Sequence, residues 1–339
     1  MNSTSMLFRD GGPWMYLILA LAVLALLAAL VVGVLHGLRM RGLSVVWITP
    51  LGGIVAVGAV GVLSGMGLAT DAVASAAPEV RQTMLAMGIS VSLYTDAFAR
   101  LCAVVLGPLL AFSVAIGHLV SVRGDRGEWT PIPGAAAGVL AFLGLCVSGF
   151  LAGIRLAEGY SSAIILVGVL IAALALPCLV AVGVRSEIDE DKRAGTASAR
   201  FVVWIALVFA AWGAAGLPEV SGTVVAFKAV ATAAPEQKAE MMQAGLEYAA
   251  ADGRTGLGTL GAILLAGLPL LLPLAGSVKA SKLAAVGLAL NVLFLGAVGG
   301  LVMMAGGTVA DAMLTIGETP DEPAEMAPGA GTESLDLGG

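Results

Sequence analysis

The sequence predicts an all-α, polytopic membrane bundle of about eight transmembrane helices, built as two repeats of like orientation. Three observations predict it. First, hydrophobic residues make up 59% of the 339 residues and charged residues only 12%, with a mean hydropathy of +0.99. A soluble globule needs a polar skin that this composition cannot supply. Second, eight apolar runs reach the roughly 20 residues a bilayer-spanning helix requires. Third, a 25-residue stretch recurs later in the chain. The composition excludes an ordinary soluble enzyme, a disordered chain and a nucleic-acid binder. Runs that are apolar on every face must be helices, because lipid offers no partner to an unpaired peptide group. They lack the period-two alternation of barrel strands.

In chain order the predicted spans are 14–38, 45–69, about 88–122, 131–154, 161–184, 201–226, about 245–276 and 283–307. The first run is too long for the core of a signal peptide, and its basic flank follows it, so it is expected to remain as a span. Basic residues cluster in alternate connections. Arg39 and Arg41 follow span 1, and Arg123 and Arg126 follow span 3. Arg185, Lys192, Arg193 and Arg200 lie between spans 5 and 6, and Lys279 and Lys282 between spans 7 and 8. The positive-inside rule puts these connections in the cytoplasm and both termini outside. The charge-balanced run Glu187–Arg193 reads as a solvated loop. The tail from Asp311 holds seven acids, no base and three prolines, and reads as a flexible solvated end. Cys102, Cys146 and Cys178 sit in apolar runs without CxxC spacing and read as small core residues.

The recurring stretch is Ser64–Gly88, SGMGLATDAVASAAPEVRQTMLAMG, against Ser221–Gly245, SGTVVAFKAVATAAPEQKAEMMQAG. Twelve of the 25 positions are identical at an offset of 157, including Ala-Ala-Pro-Glu at 76–79 and 233–236. The same offset lays spans 1–3 on spans 5–7, so the repeats are parallel rather than inverted. The expected organisation is a first repeat over 1–125, a linking span over 126–160, a second repeat over 161–278, span 8 over 279–309 and the acidic tail over 310–339.

Several motifs of the first repeat resemble the MotA/TolQ/ExbB family of ion-driven motor subunits. Gly11-Gly-Pro-Trp-Met-Tyr-Leu-Ile-Leu19, followed by an apolar span and Arg39 and Arg41, looks like that family's first helix. Gly58-Ala-Val-Gly61-Val-Leu-Ser-Gly65-Met66 looks like its second-helix GLLGTVxGM signature, and Gly88-Ile89-Ser90 like the start of its third helix. The resemblance covers about residues 8–122 and, through the repeat, 161–276. It implies a homo-oligomeric ring in a bacterial inner membrane, surrounded by lipid and enclosing single-span partner helices of the ExbD/TolR/MotB kind. In such motors the partner carries the proton-binding carboxylate and the ring offers hydroxyls and water. This chain departs from the pattern. The family's large cytoplasmic domain between helices one and two is absent. Its second-helix threonine falls on Val62, its third-helix glutamate on Val91, and its third-helix threonine on Asp96, or on Thr95 with a one-residue slip. In the second copy these positions hold Glu219, Tyr248, Gly253 and Asp252.

The residues themselves nominate an ion pathway. Glu219 follows Pro218 inside an apolar run. A charge at the bilayer centre costs roughly 2.5–3.5 kcal/mol on insertion scales, so it must face a pore, pair with a cation or keep its proton. Its bland reading is a neutral buried carboxyl near a span end. Asp96 and Arg100 are four apart and can pair on one helix face. Asp252 and Arg254 flank Gly253 in the second copy. Both sets read either as a polar pore mouth or as interfacial ion pairs. Thr95, Thr255, Ser64 and Ser221 are candidate pore hydroxyls, although such groups usually bond their own helix. No P-loop, nucleophile elbow or metal-ligand cluster occurs, so no catalytic residue, metal or cofactor is expected. The favoured function is a ring-forming subunit of a proton-motive-force-driven complex. The alternatives are a non-conducting membrane scaffold, a rotor-ring proteolipid and a secondary transporter.

Overall fold

The computed structural model describes residues 11–37, 44–123, 178, 190–233 and 282–318, with residues 237, 240, 241, 243 and 244. The predicted spans 131–154, 161–184 and about 245–276 lie essentially outside these residues. Among the described residues every regular element is helical. They are α1 (Gly12–Gly37), a short 3₁₀ turn (Ser44–Ile48), α2 (Thr49–Ala74), α3 (Pro78–Arg123), α4 (Glu190–Thr232) and α5 (Lys282–Glu318). Four stretches are long and apolar enough to cross a membrane: Gly12–Leu35, Val46–Ala74, Val80–Val120 and Ala289–Met313. The protein is therefore a helical membrane protein with multiple spans. Helix α4 carries two shorter apolar segments, Ser198–Ala214 and Gly222–Thr232.

Helix α1 starts at Gly12, whose φ of 66° only glycine adopts cheaply. Pro13 follows in the first turn, where a missing N–H costs no helical bond. Ile18, Ala25, Ala29 and Val32 form its buried stripe, while Tyr16, Leu24, Leu27, Leu30 and Val34 are exposed. Exposed leucine on this scale is the surface a lipid-facing helix presents. Helix α2 carries Pro50 in its first turn and ends at Ser75, where the Ala76 N–H donates to the Val73 carbonyl at 3.2 Å. Pro78 then opens α3, and Arg81 Nε donates back to the Ala76 carbonyl at 3.0 Å, closing the turn.

Helix α3 is the axis of the bundle. Its 46 residues span about 70 Å at 1.5 Å per residue, more than twice a ~30 Å hydrocarbon core. Helices α2 and α4 run antiparallel to it on different sides. Gly58 lies against Ala99 and Gly65 against Ser92, while Gly107 lies against Ala206 and Ala210, and Gly213 against Arg100. Helix α5 packs on α2 and runs parallel to it, with Phe294 against Gly52 and residues 305–313 sharing a cluster with Ala59–Met66. Leu21 of α1 meets Gly53 of α2, so the hairpin continues roughly 20 Å past the start of α1.

Two apolar clusters stack along this axis. One joins Ile18–Val32 of α1, Leu51–Val55 of α2, Ala99–Ala115 of α3 and Ala199–Ala211 of α4. The other joins Ala59–Met66, Leu85–Leu93, Val220–Val230 and Ala305–Met313. Helix α3 starts ten residues before the predicted span because Leu85, Ala86 and Ile89 are buried in this second cluster. The charged run around 190 also differs from its expectation as a loop. Helix α4 begins at Glu190, so Lys192 and Arg193 lie on a helix, and Arg200 is buried.

Candidate functional site

The gap between the two clusters is filled by a polar layer. On α3 it holds Thr95, Asp96 and Arg100; Asp96 and Arg100, four apart, share the face toward α4, and Thr95 lies on the face toward α2. Arg100 Nε donates to Asp96 Oδ2 at 2.7 Å, and the two side chains are 14% and 13% exposed. The guanidinium is also held by the facing helix. Its carbon lies 4.3 Å from the centre of the Trp212 ring, and Nη1 donates to the Trp212 carbonyl at 3.4 Å. A planar cation over an indole face gains from the ring quadrupole, more so where water is excluded. Gly216 lies against the guanidinium and Gly213 against the Arg100 carbonyl. A Cβ at Gly213 would stand 2.6 Å from the Arg100 carbonyl oxygen and one at Gly216 would displace the guanidinium, so these glycines make the room that Arg100 fills.

The face of α3 toward α2 is built differently. A methyl group at Gly58 would stand 2.6 Å from Ala99 Cβ, one at Gly61 2.7 Å from Thr95 Oγ1, and one at Gly65 2.7 Å from Ser92 Cβ. The hydroxyls here serve their own helix. Thr95 Oγ1 donates to the Ser92 carbonyl at 2.8 Å and also reaches the Gly58 carbonyl at 3.5 Å. Ser92 donates to the Ile89 carbonyl at 3.0 Å and Ser90 to the Met87 carbonyl at 2.9 Å.

The structure thus brings Asp96 and the half-buried Arg100 together on the seam where α3 meets α4, and places Thr95 beside them on the seam with α2. Ser64 is half-buried on α2. Glu219 and Ser221 lie on α4, with the Glu219 backbone three residues beyond Gly216 and so near the level of Asp96. Asp252 and Thr255 lie outside the described residues. Val62, which stands where the resembled family has a threonine, is buried in the apolar cluster. Sequence reasoning missed Trp212, Gly213 and Gly216. Only the Gly-x-x-Gly spacing hinted at a close approach, and nothing local pairs Trp212 with a residue 112 positions away. Among the described residues no group of three His, Cys, Asp or Glu side chains is placed to hold a metal ion. No protein-family model, curated protein or solved structure matches the chain.

Proposed function

We propose that this chain is a self-associating membrane subunit of a proton-motive-force-driven complex, resembling MotA/TolQ/ExbB subunits and acting on single-span partner helices. The observation that carries the proposal is the Asp96–Arg100 pair held at the α3–α4 seam by Trp212. An ionisable group at membrane depth is expensive to keep, and such groups usually mark an ion or proton path. This pair also supplies a two-state element. Protonation of Asp96 leaves the guanidinium without its counter-charge where water is scarce, which weakens the hold of α3 on α4. A proton arriving at Asp96 therefore becomes a change in helix packing. Glu219, whose backbone lies near the same level on α4, is the second carboxylate residue that the sequence nominates for the relay.

The senses of the helices are consistent with the eight-span arrangement and with both ends on one side of the membrane; the outside assignment rests on the basic connections. Helices α2, α4 and α5 are parallel, which requires an even number of crossings between α3 and α4 and an odd number between α4 and α5. Spans at 131–154, 161–184 and 245–276 meet both conditions. The duplication gains support from the two turns. Ala233 N–H donates to the Val230 carbonyl at 3.3 Å, at the offset of 157 from the Ala76–Val73 bond. Thr232 Oγ1 donates to the Ala229 carbonyl as Ser75 Oγ does to Ala72.

A second reading is a scaffold without conduction. It is favoured by Ser92 and Thr95, which lie behind the α2 glycines and donate to carbonyls of their own helix. Proton flux separates the two. The complex, purified with any co-purifying single-span protein, is reconstituted in liposomes under an imposed pH gradient and followed with an internal pH dye. Asp96→Asn and Glu219→Gln are each expected to lower the flux at least tenfold. Flux that is absent in the parent complex, or unchanged by both substitutions, favours the scaffold.

A further inference from the structure

The repeat carries one difference that its packing does not explain. Of the α2 positions left outside the bundle near the turn, which also include Gly67, Thr70 and Ala74, one face carries Leu68, Asp71 and Ser75, and Leu68 is 71% exposed. The offset of 157 maps these onto Val225, Lys228 and Thr232 of α4, which are exposed as well, Val225 to 65%. The two faces thus repeat one pattern, apolar then charged then hydroxyl, at i, i+3 and i+7, which is a single helix face. The charge at its centre is opposite in sign. Both helices end in the same turn bond at the same end of the bundle. Their registers on α3, from Gly65 against Ser92 and from Gly213 and Gly216 against Arg100, put Asp71 and Lys228 at one height to within about one helical turn, or ~5 Å.

We infer that these two faces are the halves of one interface between copies of this chain, with Asp71 of one copy beside Lys228 of the next and Leu68 packed on Val225. Membrane proteins meet side by side at fixed depth, so only groups of equal height can pair. Asp71 and Lys228 meet that condition. Helix α3 stands between α2 and α4, so the two faces look out from different sides of the molecule. Either face pressed on its own copy brings like charges together, which disfavours that contact. The α2 face of one copy on the α4 face of another brings opposite charges together and is head-to-tail, the type of contact from which a ring is built when its rotation closes. The inference deepens the self-association part of the proposed function and rests on that part alone. It needs no proton coupling.

The test uses the full chain in native membranes. Leu68→Cys and Val225→Cys chains carrying different tags are co-expressed and treated with a short bis-maleimide, with the parent chain as control. Mixed Leu68→Cys with Val225→Cys products are expected to exceed either like-with-like product by about tenfold. Asp71→Lys or Lys228→Asp alone is expected to weaken self-association about 3- to 10-fold, read by Förster transfer between labelled copies, and the double exchange is expected to restore it. Like-with-like cross-links in excess, or single charge reversals that associate as the parent does, overturn the interface. Loss of proton flux with the cross-linking pattern intact strikes the coupling proposal and leaves the interface standing.

Discussion

Helix α3 meets its two long neighbours by opposite means. Toward α2 the contact is steric. Glycines 58, 61 and 65 let the helices approach until Ala99, Thr95 and Ser92 occupy the space a Cβ would take. Toward α4 the contact is also close, but at its centre stands a cation, neutralised by Asp96 and capped by the Trp212 ring. Lipid tails are as apolar as leucine, so neither seam gains from a hydrophobic effect between helices, and each depends on packing and polar contacts. A steric seam has one arrangement and resists change. In the α4 seam the ion pair lies wholly on α3, and what crosses to α4 is the contact of Arg100 with the Trp212 ring and carbonyl. Under the proposed proton coupling, rigidity belongs to the α2 side of α3 and responsiveness to the α4 side.

The largest expected effect comes from breaking the steric seam. Gly61→Val places carbon where Thr95 Oγ1, Cβ and Cγ2 all lie within 3.0 Å of the new Cβ. Thr95 is buried and cannot move aside, so the cost should reach the upper end of the overpacking range, about 3 kcal/mol. Thermal unfolding of the purified protein in detergent should show it, and Gly67→Val, where a Cβ meets nothing within 4 Å, is the control. Next comes the charged seam. Arg100→Met keeps much of the side-chain volume but leaves Asp96 without its cation. Removing one partner of a fully buried pair costs about 3–5 kcal/mol. Here the pair keeps some exposure, so about 2 kcal/mol is expected. Asp96→Asn in the same chain should recover about half of it, since a neutral amide needs no counter-charge. A loss from Arg100→Met that Asp96→Asn leaves untouched would make the pair incidental and the arginine a packing residue.

Much of this architecture was legible because lipid leaves the backbone little choice. Spans 14–38, 45–69 and 283–307 coincide with α1, α2 and α5 to within a few residues, apart from the longer C-terminal end of α5, since an apolar run of that length can only be a helix. The start of α3 at Pro78 was not legible in hydropathy. Residues 78–87 are amphipathic, and what makes them part of a long helix is burial of Leu85 and Ala86 against the facing helices. The helical start of α4 at Glu190 was not legible either, because hydropathy does not register a charge-rich first turn. The site divides likewise. The i, i+4 spacing of Asp96 and Arg100 announces a pair, and the structure shows it. That the pair sits between two apolar clusters, over Trp212, depends on the register of α4 against α3, which no local pattern encodes.

The smallest expected effect tests whether the hydroxyls of the steric seam do anything but pack. Thr95 stands beside Asp96, where the family resemblance would have a pore-lining group. Its Oγ1 already donates to the Ser92 carbonyl at 2.8 Å and lies under Gly61. A hydroxyl bonding a carbonyl three residues back on its own helix replaces no missing bond, because that carbonyl already accepts within the helix. Valine has nearly the same shape, and removing donor and acceptor together without leaving either unpaired is close to neutral. Thr95→Val should therefore shift stability by no more than ~0.5 kcal/mol. Proton flux should also stay within about twofold of the parent, because the group was never available to a passing ion. Asp96→Asn, one residue on, should abolish most of the flux with a larger loss of stability. If Thr95→Val instead lowers flux at unchanged stability, the hydroxyl leaves its helix during the cycle, and the α2 seam moves with the α4 seam rather than holding still beside it.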